Sequence, residues 1–343
     1  MSIHRKQRFI SLAKALGIAL LALTLAGIVY EQIGRRWDRN HYPQIGRSID
    51  IGGRTLNIFC SGEGSPTVIL DSGGHTAGYT WIGIQPEIAK LTRTCWYDRA
   101  GYGWSDPPPT PRTSAAIANE LHALLHAAEI APPYVLVGAT SSSFHVRVYN
   151  SLYPDEVAGA GLIETTDTDV FAHSPAYMKG SLASLPPFLK AFSCKVLGPA
   201  MLDTGLLRLM GNPGSGQPFG SKNLTPDQQT ELSFLSKNPE TVRGGEGCDL
   251  EENMAEVRAA GGFGDRPLVV LASSQPFKAP GEQYAQATAA FNDYWFNQLQ
   301  PRLAALSARG DLVLVTDPEG QDAIISAVEK VVSEVRTAQP NRY

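Results

Sequence analysis

The stretch Pro133–Asp155, PYVLVGATSSSFHVRVYNSLYPD, decides how the rest of the chain is read. Pro133–Val137 is a short apolar run of β-forming residues. Gly138 to Ser143 (GATSSS) is a sharp turn of small residues, and Phe144–Leu152 has the apolar spacing of a helix. A buried strand, a tight turn and a helix thus follow one another in this order, with Thr140 within the turn.

Outward from this unit the same alternation repeats. On the N-terminal side, Ser48–Ile51 and Thr55–Cys60 read as a hairpin joined by Gly52, Gly53 and Arg54. Thr67–Asp71 (TVILD) is continuously apolar before its last residue, as expected of a strand buried on both faces of a parallel sheet. A glycine turn, Ser72-Gly73-Gly74-His75, a helical pattern over Trp81–Leu91 and a further strand over Thr94–Asp98 follow. A helix is expected over Thr113–Ala128 and another strand over Val157–Glu164. From Thr165 to Gly264 the alternation breaks into helix-length pieces and loops rich in Pro and Gly, read as a helical cap or lid inserted over the sheet. It resumes with strand Pro267–Ala272, a long helix around Glu282–Ala308, strand Asp311–Thr316 and a closing helix, Gln321–Arg336. The class is α/β with a parallel sheet.

The N-terminus is a different material. Arg5, Lys6 and Arg8 form a positive cap, and Ala15–Tyr30 is a run of sixteen uncharged residues. Extended back to Phe9, with Lys14 snorkelling, the segment just spans a bilayer core of roughly 30 Å. Residues 1–30 are therefore read as a membrane anchor. The rival readings are a cleaved signal peptide, with Thr24-Leu25-Ala26 as its cleavage region, and a buried core helix. Residues 31–46 read as a polar, Arg-rich tether, and the body as exported, either anchored or secreted. With a net charge of −4 and four of its cations ahead of Ala15, the body is acidic without a basic stripe, which argues against a nucleic-acid partner. The four cysteines fit that setting as two bridges, Cys60–Cys95 and Cys194–Cys248; four buried thiols are the alternative.

Three phrases carry a resemblance: Thr67–Gly74, Tyr97–Ser105 (YDRAGYGWS), and Val135–Asp155 followed by EVAG. In order and spacing they resemble the α/β-hydrolase family, over roughly residues 46–338. The resemblance implies a mostly parallel, eight-stranded sheet flanked by helices, with residues 47–164 and 265–343 as the core and 165–264 as the inserted cap. It also implies that the second and fourth strands are neighbours, which sets Cys60 beside Cys95. In such proteins the turn after the elbow strand reads G-x-S-x-G and carries the nucleophile. Here those positions are Gly138, Ala139, Thr140, Ser141 and Ser142, so the resemblance assigns the nucleophile position to Thr140. Threonine supplies a hydroxyl, yet a β-branched residue resists the backbone conformation that an elbow demands.

The resemblance also calls for a histidine base after the last strand, but that loop is Asp317-Pro318-Glu319-Gly320 and no histidine follows His173. Without imidazole a hydroxyl at its free pKa yields negligible alkoxide near neutral pH, and general-base help is worth about 10²–10⁴-fold. His75 is the candidate relocated base, while His145 reads as a helix-face residue. The orienting acid is absent after Pro267–Ala272, where Ser273-Ser274-Gln275 stands; the alternative place offers Glu164 and Asp167. Backbone N–H groups of Gly74 and Ser141 remain as an oxyanion notch. No metal or cofactor is called for. The expectation is a scaffold of ester or acyl hydrolase ancestry that has lost Ser–His–acid turnover and binds a small apolar or carbonyl-bearing ligand, or a partner. The alternative is an active hydrolase using Thr140 and a relocated base.

Overall fold

Alternate residues of each central strand face opposite sides of one sheet, and each side has its own core. The computed structural model describes all residues except 1–2, 75, 109–110, 180–185, 211–223, 238–245, 319 and 339–343. Eight strands are formed: β1 (Arg47–Asp50), β2 (Thr55–Ser61), β3 (Thr67–Asp71), β4 (Thr94–Tyr97), β5 (Tyr134–Ala139), β6 (Val157–Ile163), β7 (Leu268–Ser273) and β8 (Gly310–Val315). They lie in the order β1-β2-β4-β3-β5-β6-β7-β8. Pairings β1·β2 and β2·β4 are antiparallel and the rest are parallel. Ile69 and Leu136 join the core on one face, while Val68, Leu70, Val135 and Val137 join the core on the other. A strand covered on both faces needs this continuous apolar reading.

Helix α1 (Ile3–His41) precedes the sheet, and short α2 (Gln85–Ile88) follows β3. Helices α3 (Ser114–Ala127) and α4 (Ser142–Leu152) pack together on the face of Leu136, and α13 (Gln321–Ala338) covers the opposite face through Ile324, Val328, Val331 and Val335. Between β6 and β7 run α5 (Val170–His173), α6 (Pro187–Phe192), α7 (Gly198–Asp203), α8 (Leu206–Leu209), α9 (Pro226–Lys237) and α10 (Leu250–Ala259). A wide-turn segment, Ser193–Leu197, makes α6 and α7 one continuous rod. Helices α11 (Ala285–Asp293) and α12 (Gln300–Ala304) precede β8.

Three local readings differ in the folded chain. The stretch 31–46, read as a tether, continues α1 as a helix to His41, because Glu31 and Asp38 are buried by ion pairs rather than left in water. The pattern over Trp81–Leu91 becomes a 3₁₀ turn, Gly78–Trp81, and the short α2, which has a proline in its first turn. The long helix over residues 282–308 is interrupted by a wide turn, Tyr294–Leu299, just before Pro301, whose missing N–H cannot donate to the preceding turn. Both cysteine pairs are bonded. Cys60 and Cys95 face each other across β2 and β4 with Cα atoms 4.1 Å apart, and Cys194 joins Cys248. α1 is long and apolar enough to cross a membrane, and its Leu16, Leu20 and Leu23 are exposed.

Asp98, just past β4, is a buried hub. Its carboxylate accepts hydrogen bonds from the Gly78 N–H at 2.7 Å, the Asn57 side-chain amide at 2.9 Å and the Trp104 N–H at 3.0 Å. Gly103 (φ +51°) comes so close that a Cβ there would sit 2.2 Å from the carboxylate, which explains this glycine. Burial pushes the Asp98 carboxyl up to about 6, against the opposing pull of its three donors. A raised carboxyl pKa means that the neutral form is favoured on folding. Its contribution is therefore complete below the unfolded value near 4 and is lost as pH rises through about 6, by on the order of 2–3 kcal/mol. Comparing urea midpoints at several pH values should show this slope in the native protein and its absence in Asp98→Asn. Below pH 4 that variant should be less stable by about 1–3 kcal/mol, because one acceptor becomes a donor facing N–H groups, and the gap should close as pH rises through about 6.

Candidate active site

The site sits where β3 and β5 end side by side, the point from which connections leave to opposite halves of the sheet, the usual place for a ligand crevice in an open α/β sheet. Thr140 follows β5 with φ +50°, a left-handed backbone that β-branched residues avoid and that costs on the order of 1–3 kcal/mol. The neighbourhood holds it there. Its N–H donates to the Ile163 carbonyl at 2.8 Å, and its own carbonyl accepts from the Ser143 hydroxyl at 2.7 Å. The Ser143 hydroxyl in turn accepts from Thr165. Gly138 allows α4 to cross close to β5, since a Cβ there would lie 2.9 Å from Val146 and 3.0 Å from the α4 backbone. Ser142, at the last position of the motif, turns its hydroxyl inward to the carbonyls of Asp71 (2.9 Å) and Ala139 (2.8 Å).

Thr140 is half-buried and Ser141 is exposed. The turn after β3 lies directly against them: a Cβ on Gly73 would fall 2.2 Å from the Thr140 hydroxyl oxygen, and one on Gly74 would fall 3.0 Å from the Ser141 hydroxyl oxygen. Three of the sequence-nominated residues, Gly74, Thr140 and Ser141, are thus brought together. Among the described residues no hydrogen bond reaches the Thr140 hydroxyl. His75, the nominated base, lies outside the described residues. Glu164, the nominated acid, has φ +46° at the end of β6, and its carboxylate accepts the Ser273 N–H at the end of β7. At the loop after β8, Asp317 is exposed and its carbonyl accepts the Gly320 N–H at 3.1 Å; Glu319 lies outside the described residues.

His145, read as a helix-face residue, is buried and faces inward. Its Nδ1 is 3.2 Å from one oxygen of Asp71, whose other oxygen accepts from Arg99 Nη1 at 2.8 Å. Arg99 also donates to the Ser72 carbonyl and lies over the Tyr102 ring, 4.9 Å from its centroid. All three charged or polar groups are at most 5% exposed. One buried cluster therefore ties the end of β3, the loop after β4 and α4 together beneath the elbow. Sequence reasoning missed it, although an Asp closing a buried apolar strand was its available signal. Four further histidines are engaged elsewhere: His41 with the Trp37 carbonyl at 2.8 Å, His122 and His126 with Glu156, and His173 stacked on Tyr294 at 3.9 Å.

Comparison with known proteins agrees with this geometry. Residues 66–193 match the family model for the alpha/beta hydrolase fold. An enol-lactonase from Burkholderia xenovorans LB400 shares the fold with TM-score 0.55 and 17% identity, over 84% of this chain and 100% of that one. A haloalkane dehalogenase loop variant from Bradyrhizobium elkanii gives TM-score 0.54 and 20% identity, over 87% and 99%. Among curated relatives, an uncharacterized vacuolar membrane protein of Saccharomyces cerevisiae is 36% identical over 104 residues, which is 29% of this chain and 16% of that protein. A 2-hydroxymuconate semialdehyde hydrolase of a Pseudomonas species is 37% identical over 68 residues, 19% of this chain and 24% of the enzyme. The matched segments thus span less than a quarter of these two relatives. The sheet order and the elbow give this chain the α/β-hydrolase fold, and the family match covers the part of it that runs from β3 past the elbow.

The Asp71 cluster makes a direct prediction. Arg99→Met leaves a buried carboxylate without its main partner and should cost about 3–5 kcal/mol in urea unfolding. Adding Asp71→Asn removes the orphaned charge and should restore a substantial part of that loss. Additive single-variant costs would show that the pair is not coupled.

Proposed function

We propose that this protein is a membrane-attached α/β-hydrolase-fold protein of ester or acyl hydrolase ancestry. In this reading its crevice binds a small apolar or carbonyl-bearing ligand without ordinary Ser–His–acid turnover. One observation carries it: the elbow position holds Thr140, whose hydroxyl meets no base among the described residues, while His145 is committed to Asp71. The absence of any histidine after His173 supports the same conclusion from sequence. Gly74 and Ser141, side by side at the crevice, would supply the backbone donors for a ligand carbonyl, and Glu164 would serve as a brace between β6 and β7. The apolar N-terminal helix, with a vacuolar membrane protein among the relatives, supports attachment to a membrane, and the two disulfides support an exported body.

The second reading, an active hydrolase using Thr140 with His75 as relocated base, is favoured by one observation. A strained backbone is kept at a residue that still carries a hydroxyl. Hydrolysis of p-nitrophenyl acetate and butyrate by the purified full chain separates the two. The first reading expects rates no higher than those of Thr140→Ala and no labelling by a fluorophosphonate probe. Hydrolysis lost in both Thr140→Ala and His75→Ala would establish the second reading.

A further inference from the structure

The helical rod from Pro187 to Asp203 carries an apolar stripe that no described residue covers. Phe188 is 71% exposed, and Leu189, Phe192, Val196 and Leu197 continue the stripe at helical spacing. Leu209, 73% exposed, and Met210 extend it through α8. Soluble monomers rarely leave so many large apolar side chains contiguous and in water.

What covers the stripe is indicated by where the rod meets α1. Thr204 packs on Gly27, where a Cβ would lie 2.3 Å from the Thr204 carbonyl oxygen, in the last turn of the uncharged run. Gly205 (φ +67°) reverses the chain against Tyr30 and Glu31. Arg208 then donates to Glu31 at 2.9 Å and pairs with Asp38 at 2.8 Å, while Arg35 reaches both Glu31 (3.2 Å) and Asp203 (3.6 Å). The contact therefore begins inside the uncharged run and ends in a charged knot. From Tyr30 to Asp38 a helix rises about 12 Å, enough to cross the polar boundary layer of roughly 5–8 Å that flanks the bilayer core on each side. Cys194–Cys248 fastens the rod to the turn that opens α10, where Asp249 accepts the Arg112 N–H at 2.6 Å, so the body is held to the rod.

Resting on the reading that α1 crosses a membrane, we propose that the apolar stripe of α6–α8 lies in the boundary layer of that same bilayer. The body would then have two contacts with lipid, one spanning and one lying in the interface plane, as amphipathic interfacial helices do. Because the β6–β7 segment carries this stripe, the crevice side of the body faces the lipid from which an apolar ligand would come. The contact proposed is apolar, so a zwitterionic lipid suffices to test it.

All four native cysteines are bonded, so a single added cysteine can carry a nitroxide. The full chain would be labelled in turn at Leu20→Cys, Phe192→Cys, Leu209→Cys and Thr337→Cys, in phosphatidylcholine nanodiscs. Relaxation by oxygen and by a water-soluble nickel chelate then reports depth. Labels at 192 and 209 are expected to favour oxygen severalfold over the exposed label at 337. Water-like labels at 192 and 209 beside a lipid-buried label at 20 would overturn this inference and leave the anchor standing. A water-like label at 20 would instead remove the anchor, with the labels at 192 and 209 judging the stripe independently. Mutual broadening between 209 labels, the sign of a second copy on the stripe, would also overturn it.

Discussion

A buried carboxylate with two partners fixes the relation between the two turns that meet at the ends of β3 and β5. Asp71 ends β3 and is held by Arg99 from the loop after β4 and by His145 from α4. Taking such charges out of water is costly, and their attraction repays it only when the geometry is well satisfied. Here the cluster also reaches the Ser72 carbonyl, and Ser142 reaches the Asp71 carbonyl. The glycine turn and the elbow thus cannot drift apart without exposing an uncompensated charge. The closeness of Gly73 to Thr140 and of Gly74 to Ser141 follows from this clamp.

The clamp also bears on chemistry. A left-handed residue at the end of β5 is a strained state that persists only because its surroundings over-determine it. The Ser143–Thr165 hydroxyl pair, the Ile163 carbonyl and the close approach of α4 that Gly138 permits do this for Thr140. The scaffold thus keeps a left-handed turn at the end of β5. Proton transfer makes a separate demand, because a hydroxyl remains inert without a base within hydrogen-bond reach. Shape and reactivity are therefore independent properties of this crevice. His145 illustrates the difference: it lies five residues past the elbow, yet its imidazole serves the clamp.

The cross-links divide the chain in a similar way. Cys60–Cys95 joins two neighbouring strands that the sheet already holds together. Cys194–Cys248 joins the α6–α7 rod to α10, whose Asn253 accepts the Ser114 N–H and hydroxyl at the start of α3. The second bond thus transmits the position of the body to the part of the β6–β7 segment that touches α1. Arg208, between Glu31 and Asp38, completes the connection from the N-terminal helix to the crevice side of the sheet.

Much of the architecture was legible in the chain itself. A short unbroken apolar run is a local signal, so TVILD, PYVLVGA and PLVVLA declared central strands, and the spacing of GATSSS between strand and helix declared the elbow. The alternation of strand and helix then limited the sheet to a few orders. What sequence could not determine were contacts between residues far apart in the chain. Asp71 and His145 are 74 positions apart, and Glu31 and Arg208 are 177 apart; no periodicity links either pair. A polar residue on an apolar helix reads as solvent-facing until its partner is known. For that reason the sequence reads His145 as a helix-face residue and residues 31–46 as a tether. Local hydrogen bonding and side-chain size set the elements, whereas only the folded chain could decide which buried charge found which partner.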